Sequence, residues 1–378
     1  MAVAIVLAPD SFKGTLSQAE AVDAMARGLA RFLPGAGAAI VRCPMADGGE
    51  GTADVVASAR GGTFYTCSVQ DAYGRPWEGR WLLLDDGTAL IEAASGPGFV
   101  TPEDRPRPGR LAHSRGLGLL MRDAMARGAR RLVVALGGTG STDGGLGALM
   151  ELGARIDGVA EPGASALAHV AGLHLPTLAV PVDVWTDVLP PLTGPRGAVR
   201  RYGPQKGLQT DELDDLDAAM SRYGSMLDAA AGLAVSGRAG AGAAGGLGAA
   251  LAAIGGRLIP GGVAVARAVG LPQSLSGADA VITGEGAVDV QSADGKVVGV
   301  VAHLARQASV PALVVAGRVD ASADVLYGRG VTALFALSSP RLHGGAAKPA
   351  ASALEDAMSH VTRWLDPAIL QRYRIPGR

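Results

Sequence analysis

Twice within the first sixty residues, a short apolar run leads through a loop of glycines and acids into an amphipathic, alanine-rich segment. Residues Ala2–Ala8 read as a buried strand ending at Pro9-Asp10, and the loop Asp10–Thr15 follows. Ser17 and Glu20 have the spacing of a capping box, with Leu16 as its staple, and predict a helix from Gln18 to Leu33 that stops before Pro34-Gly35. Ala38–Cys43 predicts a second strand. Its loop is Met45-Ala46-Asp47-Gly48-Gly49-Glu50-Gly51-Thr52, and a helix over Thr52–Arg60 comes next. Strand, loop and helix in repeated alternation limit the chain to an α/β fold, in which ligands gather at the carboxyl ends of strands.

The last hundred residues return to this style. A strand at Ala280–Thr283 ends in Gly284-Glu285-Gly286, and a helix is expected over Val297–Gln307. Strands follow at Ala312–Ala316 and Thr332–Leu337, and a helix over Ala351–Leu365. The middle is less regular. Trp81–Leu84 and Ala89–Ala93 flank Asp85-Asp86-Gly87, a hairpin signal; a helix over Arg110–Arg127 precedes a strand at Arg131–Leu136; Leu178–Val184 reads as strand and Asp211–Ala231 as helix. The expected architecture is α/β with two α/β domains. One is Rossmann-like and discontinuous, residues 1–75 plus 276–378; the other, 76–275, is inserted.

Composition removes several function classes. The chain has 378 residues, 48% of them hydrophobic, with a net charge of −1. That is enough for a sizeable core, and it offers neither a basic nucleic-acid footprint nor a polybasic membrane patch. Cys43 and Cys67 make no metal-like spacing and fit a reducing cytoplasm. No apolar stretch is long enough to predict a membrane span. The six histidines do not cluster, and HExxH, GxSxG, paired CxxC and the Walker motif are absent. Lysine occurs only at 13, 206, 296 and 348 among 34 basic residues, and asparagine not at all. Against that arginine-rich background, Lys13, Lys206 and Lys296 each adjoin a glycine in a candidate ligand loop. A compact ammonium there suits a phosphate in a tight turn better than a guanidinium does.

The loops carry the chemistry. In Asp10-Ser11-Phe12-Lys13-Gly14, Lys13 is placed to reach a phosphate or carboxylate, and Asp10 to bind a metal or orient Lys13. In the second loop Gly48 and Gly49 permit close approach of a ligand, and Asp47 and Glu50 supply carboxylates. Gly137–Gly145 offers Thr139, Ser141 and Thr142 hydroxyls to phosphate or sugar-like oxygens, with Asp143 as a metal candidate. Gly203-Pro204-Gln205-Lys206-Gly207 presents Lys206 on a rigid turn. Asp187 lies upstream, a base, a metal ligand or a turn cap. Gly240-Ala241-Gly242-Ala243-Ala244-Gly245 matches GxGxxG, but no strong strand precedes it and no acid stands near position 265; Gly242 serves close packing or a phosphate-facing backbone. Glu285, Asp289, Gln291 and Lys296 follow one another after a strand, as in a phosphate-and-metal loop.

Taken together, these ordered motifs resemble the type I glycerate kinases. The segments concerned are Ala8–Gly14, Pro44–Thr52, Ala135–Gly145, Gly203–Gly207, Gly240–Gly246 and Ile282–Lys296, spanning nearly the whole chain. The resemblance implies ATP, Mg²⁺ and glycerate, 2-phosphoglycerate as product, and an active site between two α/β domains. Thr142, Pro190 and Ala287 depart from it, standing where the family tends to have asparagine, asparagine and arginine. It also implies a division of labour. Lys13 and Lys296 are expected as phosphate or carboxylate clamps. Asp47 and Asp187 are expected as base or metal ligand, with Asp143 and Asp289 as further metal candidates. Asp10, Ser11, Gly48, Gly49, Glu50, Thr139, Ser141, Lys206, Gly242, Glu285 and Gln291 are expected to bind substrate or phosphate. The expected partners are glycerate and ATP, without nucleic acid or membrane, with a homodimer left open and a cytoplasmic location.

Two other classes compete: a Rossmann-type NAD(P)-dependent hydroxy-acid dehydrogenase, favoured by the GxGxxG match and the Rossmann-like ends of the chain, and a non-catalytic nucleotide or sugar-acid binding protein. The lysine pattern supplies a test. Lys13→Arg keeps the charge but enlarges the head group, and is expected to lower turnover; unchanged kinetics would remove Lys13 from close ligand contact.

Overall fold

The computed structural model describes residues 3–32, 39–186, 188–293, 295–337 and 349–365. The chain divides into two compact units. One comprises the residues up to 47, 54–60 and those from 262 onward; the other comprises 48–53 and 61–261.

The first unit is built on a five-stranded sheet in the order Val331–Ala336, Ala312–Val319, Ala280–Val288, Ala4–Leu7, Ala39–Arg42, every pair parallel. Its inner strands open on apolar runs because both of their faces are covered, whereas the edge strand Ala39–Arg42 is largely exposed. Ile5, Leu7, Ile282, Leu313 and Val315 share a core with the helices Gln18–Phe32 and Ala350–Val361. Val6, Val281 and Val314 are buried as well, outside that cluster. The predicted capping box forms: the Ser17 hydroxyl accepts from the Glu20 amide at 3.3 Å, and the Glu20 carboxylate accepts from the Ser17 amide at 2.8 Å. The expected stop before Pro34-Gly35 lies outside the described residues. Because the chain leaves Ala4–Leu7 toward Ala39–Arg42 on one side and returns on the other with Ala280–Val288, a topological switch point falls beside Ala4–Leu7.

The second unit has a six-stranded mixed sheet: Arg257–Pro260, Val182–Thr186, Arg131–Ala135, Thr88–Glu92, Pro76–Leu83, Thr63–Gln70. The first four run parallel; the hairpin predicted around Gly87 and the pairing of Thr63–Gln70 with Pro76–Leu83 are antiparallel. Thr63–Gln70 was not expected as a strand. Its full-length register with Pro76–Leu83 ties it to this sheet, and residues 61–261 group with the second unit. Residues from 262 onward, including most of the helix Gly261–Ala268, group with the first unit.

One correction bears directly on the site. Gly284-Glu285-Gly286 is not a loop: the strand runs from Ala280 through Val288 and pairs with Ala312–Val319 over that length. A Cβ on Gly284 would collide with the Val315 carbonyl of the neighbouring strand, which explains glycine here. Gly284→Ala is therefore expected to cost about 1–3 kcal/mol and lower the urea midpoint; an unchanged midpoint would contradict this packing.

Candidate functional site

Backbone pairing at the switch point continues past the strand ends and assembles an acidic cluster. The Ala8 amide donates to the Ile282 carbonyl at 2.8 Å, the Asp10 amide to Gly284 at 2.9 Å, and the Thr283 hydroxyl to the Ala8 carbonyl at 2.8 Å. On the other side the Cys43 amide donates to Leu7 at 2.8 Å and Met45 to Pro9 at 2.9 Å. These bonds bring Asp10, Asp47 and Glu285 into one electrostatic group, although 275 residues separate the first from the last.

All three carboxylates are buried. Burial first, then the neighbouring Asp47 charge and, to a lesser degree, Glu285, raise the Asp10 pKa to about 7, against lowering by the Ser11 amide and Lys13. The Ser11 amide donates to Asp10 Oδ1 at 2.6 Å and the Gln18 side chain to the same oxygen at 3.4 Å. Glu285 is likewise raised, mainly by burial, although Ser292 Oγ donates to its Oε1 at 2.6 Å and Lys296 and Lys13 pull in the opposite direction. Lys13 lies 3.8 Å from Asp47, and its side chain is 80% exposed, so this ammonium pairs with the acidic cluster from its solvent side. Lys296 stands at the N-cap position of the helix Val297–Gln307, with no capping bond from its side chain. Asp289, expected as a metal ligand, forms a local turn: its Oδ1 accepts from the Gln291 and Ser292 amides at 2.8 and 3.3 Å. Gln291 is exposed beside it.

In the second unit the structure brings Thr139, Ser141 and Lys206 together. The Lys206 ammonium donates to Thr139 Oγ1 at 3.1 Å and to the Ser141 carbonyl at 2.8 Å, and burial lowers its pKa to about 8. Asp143, also expected to face a metal, is fully buried. Its oxygens accept from the Ser114 amide and hydroxyl and from the Gly145 and Gly147 amides, all within 3.2 Å, so it fixes the glycine loop from beneath. Gly48 is also needed for packing, and Gly137 for its approach to the Gly49 backbone. A Cβ on Gly48 would sit 3.0 Å from Gly261 Cα, and one on Gly137 would strike Gly49. Gly242 abuts the Pro191 carbonyl in the same way, which favours its packing role. Glu50 is exposed in this loop, and Asp187 lies outside the described residues.

Sequence reasoning missed Gln18 and Ser292, the side chains that hold Asp10 and Glu285. Ser292 adjoins the predicted Gln291, but nothing in its spacing foretells a bond to Glu285. It also missed Glu92, buried at a strand end and accepting from the Ala53 amide at 2.7 Å.

The glycerate kinase family model matches residues 5–366. A glycerate kinase of Bacillus subtilis is 36% identical over 374 residues, covering 96% of this chain and 94% of that protein. A glycerate 2-kinase of Escherichia coli is 34% identical, covering 88% and 90%. A solved crystal structure assigned as glycerate kinase 2 from Salmonella typhimurium superposes with a TM-score of 0.82 at 33% identity, covering 97% of this chain and 99% of that one.

The acidic cluster has a consequence for stability. The folded state holds the Asp10 proton more tightly than the unfolded chain, so this group subtracts stability as pH rises from about 4 to about 7, and the full penalty is present above that window. In metal-free buffer, Asp10→Asn is expected to melt several degrees above wild type at pH 8 and close to it at pH 4. Equal melting temperatures at pH 8 would contradict the burial of a charged Asp10.

Proposed function

The chain belongs to the glycerate kinase family, and from that premise we propose that it transfers the γ-phosphoryl group of ATP to the 2-hydroxyl of D-glycerate, giving 2-phosphoglycerate and ADP. The observation that carries the reaction is Asp10, a buried carboxylate at the switch point whose proton affinity is raised to about 7. A base near the working pH accepts a hydroxyl proton as the oxygen attacks phosphorus and remains deprotonated often enough to act. The proton of the glycerate hydroxyl passes to an Asp10 oxygen while the new O–P bond forms and the bond to the ADP oxygen breaks. Phosphoryl transfer otherwise demands positioning and charge neutralisation, the tasks of Lys13 and Lys296.

The residues present fit Mg²⁺. The donors are hard carboxylate oxygens, and the mutual repulsion of Asp10, Asp47 and Glu285 is what a cation relieves. Among the described residues no group of three or more His, Cys, Asp or Glu side chains is placed to hold a metal ion by itself, and Mg²⁺ generally keeps several waters and takes only one or two acids. Asp47 and Glu285 would hold it, and when bound it supplies neutralisation of phosphate charge. Asp187 stays a candidate for either acidic role.

The free thiols of Cys43 and Cys67 support a cytoplasmic setting, and among the described residues no helix is long and apolar enough to cross a membrane. The dehydrogenase alternative rested on the GxGxxG match, and tight packing of Gly242 against Pro191 offers another reason for that glycine.

A coupled assay for ADP release with D-glycerate, followed by NMR of the product, tests the reading. Glycerate-dependent ADP and 2-phosphoglycerate are expected; no glycerate-dependent ADP would refute it. The kcat/KM is expected to rise with pH through about 7, and Asp10→Asn to lower kcat by about 10²–10⁴-fold. A wild-type rate in that variant would remove Asp10 as the base.

A further inference from the structure

Residues 48–53, most of the second acid–glycine loop, group with the second unit, and hydrogen bonds at either end anchor them there. At the entry the Gly137 amide donates to the Gly48 carbonyl at 3.3 Å, and a Cβ on Gly137 would lie only 2.4 Å from Gly49 Cα. At the exit the Ala53 amide donates to Glu92 Oε1 at 2.7 Å. Both anchors stand at the carboxyl ends of neighbouring parallel strands. Glu92 closes Thr88–Glu92 in register with Ala135, the last residue of Arg131–Ala135, and Gly137 follows two residues later.

The backbone between these anchors is unfavourable to order. Gly48 and Gly51 take left-handed φ angles of 93° and 84°, and glycine gives up more conformational freedom than any other residue when it is fixed. Ala53 lies in the first turn of the nine-residue helix Thr52–Arg60, where amides have no partner within the helix. The loop's own hydroxyl, Thr52 Oγ1, is buried without a hydrogen-bond partner among the described residues, so it does not cap this end. Glu92 does so from another strand. A buried carboxylate in such a place acts either by its charge, as a base or metal ligand, or by its reach, as an anchor. Glu92 is only 5% exposed, and its Oε1 is engaged by a backbone amide, which favours the anchor.

We propose that Glu92 is a positioning residue: its carboxylate holds Ala53 and thereby keeps Gly48–Thr52 in the one conformation that receives the hydroxy-acid substrate. It touches no reacting atom, and its effect falls on substrate affinity through the order of the loop. For D-glycerate as the ligand the proposal rests on the kinase reading; the anchoring of the loop does not depend on it.

Two variants separate reach from charge. Glu92→Gln keeps an acceptor oxygen at the same distance without the charge, and Glu92→Asp keeps the charge but is shorter by one methylene. Hydrogen–deuterium exchange of the full chain without ligands reads the loop itself. Exchange over residues 48–53 is expected to rise about tenfold or more in Glu92→Asp and to stay within about threefold of wild type in Glu92→Gln. Initial rates of ADP release read the consequence. The KM for D-glycerate is expected to rise about tenfold in Glu92→Asp, with kcat and the KM for ATP within about threefold of wild type, and Glu92→Gln to restore the wild-type KM. Unchanged exchange in both variants would overturn the proposal, as would damage in Glu92→Gln with Glu92→Asp spared, which assigns the role to the charge. A lower melting temperature in Glu92→Asp with exchange and KM unaltered makes Glu92 a purely structural residue and overturns it too. If Glu92→Asp does not fold, Glu92→Met, of similar length and without that acceptor, is judged by the same criteria. Wild type that releases no ADP with D-glycerate would refute the kinase reading and leave the exchange measurement to decide the anchor.

Discussion

The chemistry of this protein depends on a few backbone hydrogen bonds between segments from opposite ends of the chain. Ala4–Leu7 pairs with Ala280–Val288, and the pairing extends beyond the first strand to the bond from the Asp10 amide to the Gly284 carbonyl. On its other edge the bond from Met45 to Pro9 does the same for the approach to Asp47. Parallel strands in register therefore deliver three acids to one place, where water is largely excluded and like charges repel. The glycines at 284 and 286 permit this approach: a Cβ on Gly284 would strike Val315, and one on Gly286 would press within 3.3 Å of the Lys13 backbone nitrogen.

Burying like charges is unfavourable unless they are paired or neutralised. Ser292, Gln18 and the Ser11 amide offset part of that penalty by hydrogen bonding, and Lys13 and Lys296 offset part by charge. What remains uncompensated makes the site receptive to a cation and leaves Asp10 able to exchange a proton near neutrality. The second unit solves a related problem in another way. Asp143 is buried too, but four donors from its own surroundings satisfy it, so it shapes the loop above it, and the buried Lys206 ammonium is held by Thr139 and Ser141 of that loop.

Much of the fold was legible because local pattern and tertiary demand agree. The helix Val297–Gln307 was read to the residue, and the strand at Ala4–Leu7 with its capped helix followed from apolar runs and from Ser17 and Glu20. Thr63–Gln70 escaped because it is an edge strand: Phe64, Thr66 and Ser68 face solvent, and of its inward residues only Val69 is fully buried while Tyr65 and Cys67 are half-buried, so polar and apolar positions do not alternate cleanly. The Gly284-Glu285-Gly286 segment looked like a loop because glycine usually breaks strands, whereas here close approach of a neighbouring strand requires it. Site residues were legible as acid–glycine and lysine–glycine pairs. Their roles were not, since whether a carboxylate is satisfied internally, as Asp143 is, or repelled by its neighbours, as Asp10 is, depends on partners distant in sequence.

The central claim is that Asp10, Asp47 and Glu285 form one buried, mutually repelling group. NMR titration of protein carrying ¹³C-labelled aspartate carboxyl groups, in metal-free buffer and with Asp10→Asn for assignment, examines it most directly. The account predicts one carboxyl resonance titrating near pH 7 that vanishes in the variant. Titration of the Asp10 carboxyl in the ordinary aspartate range, near about 4, would contradict it.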